Sequence, residues 1–87
     1  MLKVVFTKDS LKSYLKIPAN LRNKIDTWID LVETRGINKA RESPGYKDHR
    51  LVGDRVGQRS IRLNRTWRLV YVEKEDIIIV EIHAHKY

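Results

Sequence analysis

The 87-residue sequence predicts an α+β fold: an N-terminal strand, a two-helix hairpin, then a twisted antiparallel sheet of three to four strands. Three observations predict it. Leu21, Ile25, Trp28, Ile29 and Val32 recur at the spacing of one buried helical stripe. From Gln58 onward the apolar residues alternate instead, as strands with one buried side require. Turn-forming clusters at 43–45, 53–57, 64–66 and 73–76 separate these runs.

The elements follow in order. Leu2, Val4 and Phe6 fall on one side of an opening strand. A helix is expected to begin near Asp9 or Ser10, either a plausible N-cap, and to carry Leu11 and Leu15 four apart. Pro18 suits the start of the next helix, where its missing N–H leaves nothing unsatisfied. Gly36 ends that helix. Residues 37–47 are polar and contain Ser43-Pro44-Gly45, so they read as a loop with at most a helical turn. Strands are expected over 49–52, 58–63, 67–72 and 77–85, joined as a meander with the helices on one face.

At this length the expectation is one domain spanning 1–87, with a small core that buries roughly 60% of the unfolded surface. There is no cysteine, hence no disulfide or thiolate site. No apolar run reaches membrane-spanning length, and no signal region opens the chain. A cytoplasmic protein without a membrane partner is expected.

The net charge of +7 is concentrated. Residues 46–68 hold seven basic side chains (Lys47, Arg50, Arg55, Arg59, Arg62, Arg65, Arg68) and two acidic ones (Asp48, Asp54), a local excess of five. That clustering points to a polyanion such as nucleic acid, with a merely solvated basic face as the alternative. Strand alternation sorts the cluster. Ile61 and Leu63 point to the core, so Arg62 points away; Leu69 and Tyr71 do so in the next strand, so Arg68 points away; Ile82 does so in the last, which turns His83 and His85 outward. Arg62, Arg68 and these histidines are thus expected together on the uncovered face. Arg59 and Arg55 have a second reading as ion-pair partners of Asp48 or Asp54. Trp28 and Trp67 read as core residues, and Gly53 and Gly57 as turn glycines, since no helix start follows them. His-x-His at 83–85 is too short to define a zinc site, and no metal is expected.

The run from Tyr46 to Tyr87 resembles the RelE and HigB group of bacterial toxins from type II toxin–antitoxin pairs. The resemblance rests on H-x-L-x-G-D-R-x-G at 49–57, Ser60-Ile61, the run Trp67-Arg68-Leu69-Val70-Tyr71, and a last strand ending in His and Tyr. It implies the RelE-like microbial RNase fold and a ribosome-dependent mRNA endonuclease (mRNA interferase). Such an enzyme enters the 30S A site, cleaves by 2′-hydroxyl attack without metal or cofactor, and so inhibits translation. The implied partners are the ribosome, mRNA and a cognate antitoxin, a small helix-turn-helix protein encoded alongside.

Carried over residue by residue, Arg68 would hold the scissile phosphate, which its paired, permanently charged donors suit, and Arg62 would share that role. His49 matches the histidine of the H-x-L-x-G motif, while His85 and Tyr87 fall where the family supplies acid, base or stacking groups. Lys47, Arg50, Arg55, Arg59, Arg65, His83 and Lys86 would grip RNA or the ribosome. Two places depart from the HigB pattern: Val52 stands where a lysine is usual, and the chain ends His-Ala-His-Lys-Tyr rather than acid-Tyr-His. Two other functions belong to this sequence class. One is a ParE-like toxin acting on DNA gyrase, against which the Arg62, Arg68 and histidine cluster counts. The other is a noncatalytic RNA- or antitoxin-binding relative, which the missing lysine would favour.

Overall fold

The computed structural model describes residues 2–84. Strand β1 (Lys3–Phe6) leads into helices α1 (Lys8–Lys16), α2 (Ala19–Arg35) and α3 (Ile37–Glu42), then β2 (His49–Arg50), β3 (Arg59–Arg62), β4 (Trp67–Lys74) and β5 (Ile77–Ala84). Single 3-10 turns at Pro44–Tyr46 and Gly53–Arg55 flank β2. The five strands form one sheet in the order β1-β5-β4-β3-β2. It is mixed rather than wholly antiparallel, because β1 pairs in parallel with β5 while the other pairs are antiparallel. The meander from β2 to β5 is as the turn signals predict. Between β1 and β5 the chain runs through the three helices and then β2, β3 and β4, a connection long enough for the crossover that a parallel neighbour needs.

Helix α2 buries Leu21, Ile25, Trp28 and Val32, the predicted stripe. These join Ile61, Leu63, Leu69, Tyr71, Ile78, Val80 and Ile82 of the sheet region in one core. Trp28 is fully buried and its ring meets that of Tyr71 with centroids 5.2 Å apart, which makes it a packing residue although its Nε1–H finds no acceptor among the described residues. Gly36 takes φ +89, a conformation that side chains other than glycine's adopt only with strain.

Three expectations need correction. The N-cap of α1 is Thr7, whose Oγ1 accepts from the Ser10 N–H at 3.0 Å, so the helix starts before Asp9. Leu11 and Leu15 do not form the inner face of α1; they are 46% and 66% exposed, while Ser10 is buried and Tyr14 stacks on Phe6. Residues 37–42 form a helix instead of loop, held by Ile37 and Ala40, both buried. Its two apolar anchors are too few to make a sequence period.

Edge strand β1 carries its own guard. Its Val4 N–H donates to Glu33 Oε2 of α2 at 2.9 Å, so a side chain occupies a position another strand would seek.

Candidate active site

Residues paired across neighbouring strands share a face. Ile61 pairs with Leu69 and Leu69 with Ile82, all buried beneath the helices. One step along, Arg62 pairs with Arg68 and Arg68 with His83, so this row faces the opposite side. Three strands therefore bring Arg62, Arg68 and His83 into one line on the uncovered face, as alternation predicts. His85, Lys86 and Tyr87 lie outside the described residues.

The row is cationic without acidic compensation at its arginines. Among the described residues neither Arg62 nor Arg68 forms an ion pair. Burial pulls the Arg68 pKa below its ordinary value, and Arg62 lowers it further. Arg68 Nη1 donates to the carbonyls of Asn64 (2.5 Å) and Trp67 (3.1 Å), which pins the guanidinium at the β3–β4 turn. That turn is itself fixed by Asn64 Oδ1, which accepts from the Thr66 and Trp67 N–H groups at 2.8 and 2.7 Å. One hydrogen-bonded nitrogen leaves the other donors of Arg68 available to an anion.

Two residues that sequence reasoning missed complete this region. Lys24 of α2 donates to the Gly45 and Leu63 carbonyls, each at 3.3 Å, and stands over the Tyr46 ring. Burial and then the nearby Arg62 lower its pKa, so Arg62 stands between two cations, Lys24 and Arg68, and repels each. Glu81 is the second: its Oε2 lies 3.1 Å from His83 Nε2 and 3.9 Å from Arg55 Nη1. Because a carboxylate can only accept, Nε2 is the donor in that contact. Arg55, in the β2–β3 loop, reaches across to β5 and also donates to Gln58 Oε1 at 3.0 Å.

His49 stands elsewhere. It pairs with Ser60, one row along from Arg62, on the same open face. Three strand spacings separate β2 from β5, on the order of 14 Å, so His49 and His83 do not flank one atom. Its Nδ1 lies 3.0 Å from the Lys47 carbonyl, which can only accept, so Nδ1 is the donor in this contact. Lys47 holds the left-handed φ of +48 that sets this contact.

Arg59 turns to the helix side. It pairs with Tyr71 in register, and its Nε donates to Asp48 Oδ1 at 2.5 Å. The Asp48 carboxylate is fully buried; Oδ2 accepts from the Tyr71 hydroxyl at 2.5 Å, and that hydroxyl in turn accepts from Arg41 Nε at 3.2 Å. Burial, then the Asp48 hydrogen bond, pushes the Tyr71 phenol up to about 12. This is the ion-pair reading of Arg59, and parity accounts for it, since Arg59 alternates in phase with Ile61 and Leu63. Arg50 and Arg65 are exposed and form no side-chain bond among the described residues, and Val52 is 85% exposed. No group of three His, Cys, Asp or Glu is gathered among the described residues as a metal ion would need. No helix there is long and apolar enough to cross a membrane.

No family model matches the sequence, and no curated protein matches it. Solved structures do. The YoeB dimer from Staphylococcus aureus is 20% identical, with a TM-score of 0.76 over 99% of this chain and 98% of that one. The YoeB/ParE toxin from Agrobacterium tumefaciens is 23% identical, with a TM-score of 0.73 over 98% of this chain and 100% of that one. The RelBE2 toxin–antitoxin complex from Mycobacterium tuberculosis contributes a chain that is 17% identical, with a TM-score of 0.66 over 97% of this chain and 98% of that one. From β1 to β5, the chain has the fold of the YoeB, ParE and RelE toxins.

Proposed function

We propose that this protein is the toxin of a type II toxin–antitoxin pair, and that it inhibits translation by cleaving mRNA on the ribosome. The observation that carries the reading is the row Arg62–Arg68–His83, two guanidinium groups and an imidazole on the uncovered sheet face. The fold alone would serve a gyrase toxin equally; a paired-arginine anion site beside a proton-transfer group favours phosphodiester chemistry.

In that reaction the ribose 2′-oxygen loses its proton and bonds to the adjacent phosphorus. The bond to the 5′-oxygen breaks, that oxygen takes up a proton, and a 2′,3′-cyclic phosphate remains. Arg68 and Arg62 hold the nonbridging oxygens and neutralise the charge that builds on them in the transition state, which lowers the barrier more than it tightens ground-state binding. Lys24 adds positive potential at the end of the row. His83, oriented by Glu81, is the group in line to move a proton, with Glu81 a positioning residue. His85 and Tyr87 are proposed to act from the adjoining C-terminal segment. His49 serves the RNA one row away, and Lys47, Arg55, Arg65 and Lys86 grip the backbone beyond it. Arg59 contributes through the stability of the β2 region. A cognate antitoxin is the proposed partner, in keeping with solved neighbours that are toxin–antitoxin complexes such as YoeB–YefM from Staphylococcus aureus.

The test is expression in growing bacteria with mapping of mRNA 5′ ends. Cleavage within translated regions that Arg68→Ala abolishes supports the reading. Growth arrest with intact mRNA and inhibited gyrase overturns it.

A further inference from the structure

On the helix side of β2, remote from the arginine row, a pocket of about 470 Å³ is lined by Arg41, Arg50, Val52, Val56 and Arg59 among others. Three properties of it converge. Arg41 lies 3.7 Å from Glu73 and Arg59 pairs with Asp48, so both these arginines are compensated; Arg50 has no ion-pair partner among the described residues. Beside it, Val52 and Val56 are 85% and 76% exposed, the two most exposed large apolar side chains of the described residues. Finally, β2 is the last strand of the sheet, and the Leu51 N–H donates to the Gln58 carbonyl at 3.0 Å. Backbone groups alternate in direction along an antiparallel strand, so those of Arg50, one residue earlier, point away from β3 toward the open edge.

We infer that the β2 edge and this pocket bind an extended peptide segment of a protein partner, with an acidic residue placed two positions from an apolar one. The Arg50 N–H and C=O groups pair with the peptide backbone, as in strand addition to a sheet edge. Arg50 and Val52 lie two apart in extended chain and so project to one side. An incoming acid-x-apolar triplet presents its own pair in the same way, the carboxylate to the Arg50 guanidinium and the apolar side chain to Val52 and Val56. RNA fits less well. A phosphate would engage Arg50 but leave both valines in water, and the pocket offers no aromatic face on which a base could stack.

The pocket stands whether or not the chain is a nuclease. That its occupant is an antitoxin rests on the toxin reading, and in that case the segment docks without covering the face that carries Arg62, Arg68 and His83. Its effect on RNA would come from the bulk of the attached partner.

The test is selection of random short peptides displayed on phage against the full chain, followed by NMR titration of the selected peptides and, separately, of a short single-stranded RNA. Selected peptides sharing acid-x-apolar, shifting the amides of Arg50, Leu51, Val56 and Gln58, and binding about tenfold more weakly to Arg50→Glu and to Val56→Asp would support the proposal. Both substitutions sit on exposed side chains, and unchanged amide dispersion confirms folding. Selected peptides that lack the pattern or shift other amides would overturn it. So would RNA that shifts Arg50 and Val56 where peptides do not. Loss of RNA cleavage with peptide binding intact, or the converse, separates this proposal from the nuclease reading.

Discussion

Arg62 and Arg68 stand directly opposite each other across β3 and β4, and no carboxylate among the described residues pairs with either. Like charges in register cost a sheet stability, on the order of 0.2–1 kcal/mol, and folding alone gives no reason to keep them. An anion bound between them would remove the repulsion. Replacing Arg62 by Gln is therefore expected to raise the melting free energy by a few tenths of a kcal/mol, up to about 1, while weakening RNA binding. Thermal melts with and without a short RNA check both halves; a destabilised Arg62→Gln protein would speak against the cost.

The Asp48–Tyr71 contact predicts a pH dependence. Tyr71 is held neutral to about 12, against an ordinary 10, by burial and by donation to Asp48. Its folded pKa is raised, so its contribution is fully present below pH 10 and is lost as pH climbs through 12. The shift corresponds to roughly 2–3 kcal/mol at about 1.4 kcal/mol per unit. Melting temperature is expected to fall across that window, and to fall less steeply in Tyr71→Phe.

Removing Asp48 itself leaves Arg59 and the Tyr71 hydroxyl facing a void. Asp48→Ala is expected to lose about 2–4 kcal/mol, below the fully buried extreme because Arg59 is still 22% exposed. Urea melts measure it. Since His49 follows Asp48 directly, the amide of His49 should shift on the same substitution, whereas those of β5 should not.

Lys24 and the two arginines predict a salt signature. Each phosphate contact on single-stranded RNA contributes about 0.7 to the slope of log affinity against log salt. Lys24→Ala, Arg62→Ala and Arg68→Ala should each flatten that slope by about this amount, while Arg59→Ala, already paired with Asp48, should leave it unchanged. Fluorescence titrations across a salt series give the slopes.

Glu33 predicts an edge effect. Glu33→Ala strips the acceptor from the Val4 N–H and exposes the β1 edge, for a loss of about 1–2 kcal/mol and a gain in concentration-dependent self-association. Sedimentation at two concentrations distinguishes the variant from the parent.

Much of this was legible because a strand has period two. Once Ile61, Leu69 and Ile82 are inward, Arg62, Arg68 and His83 have nowhere to point but outward together, and the register bears this out. The same rule, applied to Arg59, would have sent it to the helix side. What stayed hidden depends on contacts distant in sequence. Lys24 lies off the buried stripe of its helix and reads as solvent-facing, yet its acceptors are the Gly45 and Leu63 carbonyls. Glu81 shows its role only through two partners, Arg55 and His83, of which one comes from a loop three strands away. Helix α3 has two buried residues, too few for any period to announce, and Thr7 is a cap because of what its hydroxyl accepts.

The central claim is that Arg62 and Arg68 hold the scissile phosphate. Its most direct measurement is cleavage of mRNA on programmed ribosomes at saturating protein, comparing the parent chain with Arg68→Ala and Arg68→Lys. A single-turnover rate lowered by two or more orders of magnitude in Arg68→Ala and only partly restored by lysine, with ribosome affinity nearly unchanged, is the predicted result. Equal cleavage rates in the three proteins, or no cleavage by the parent chain, would contradict it.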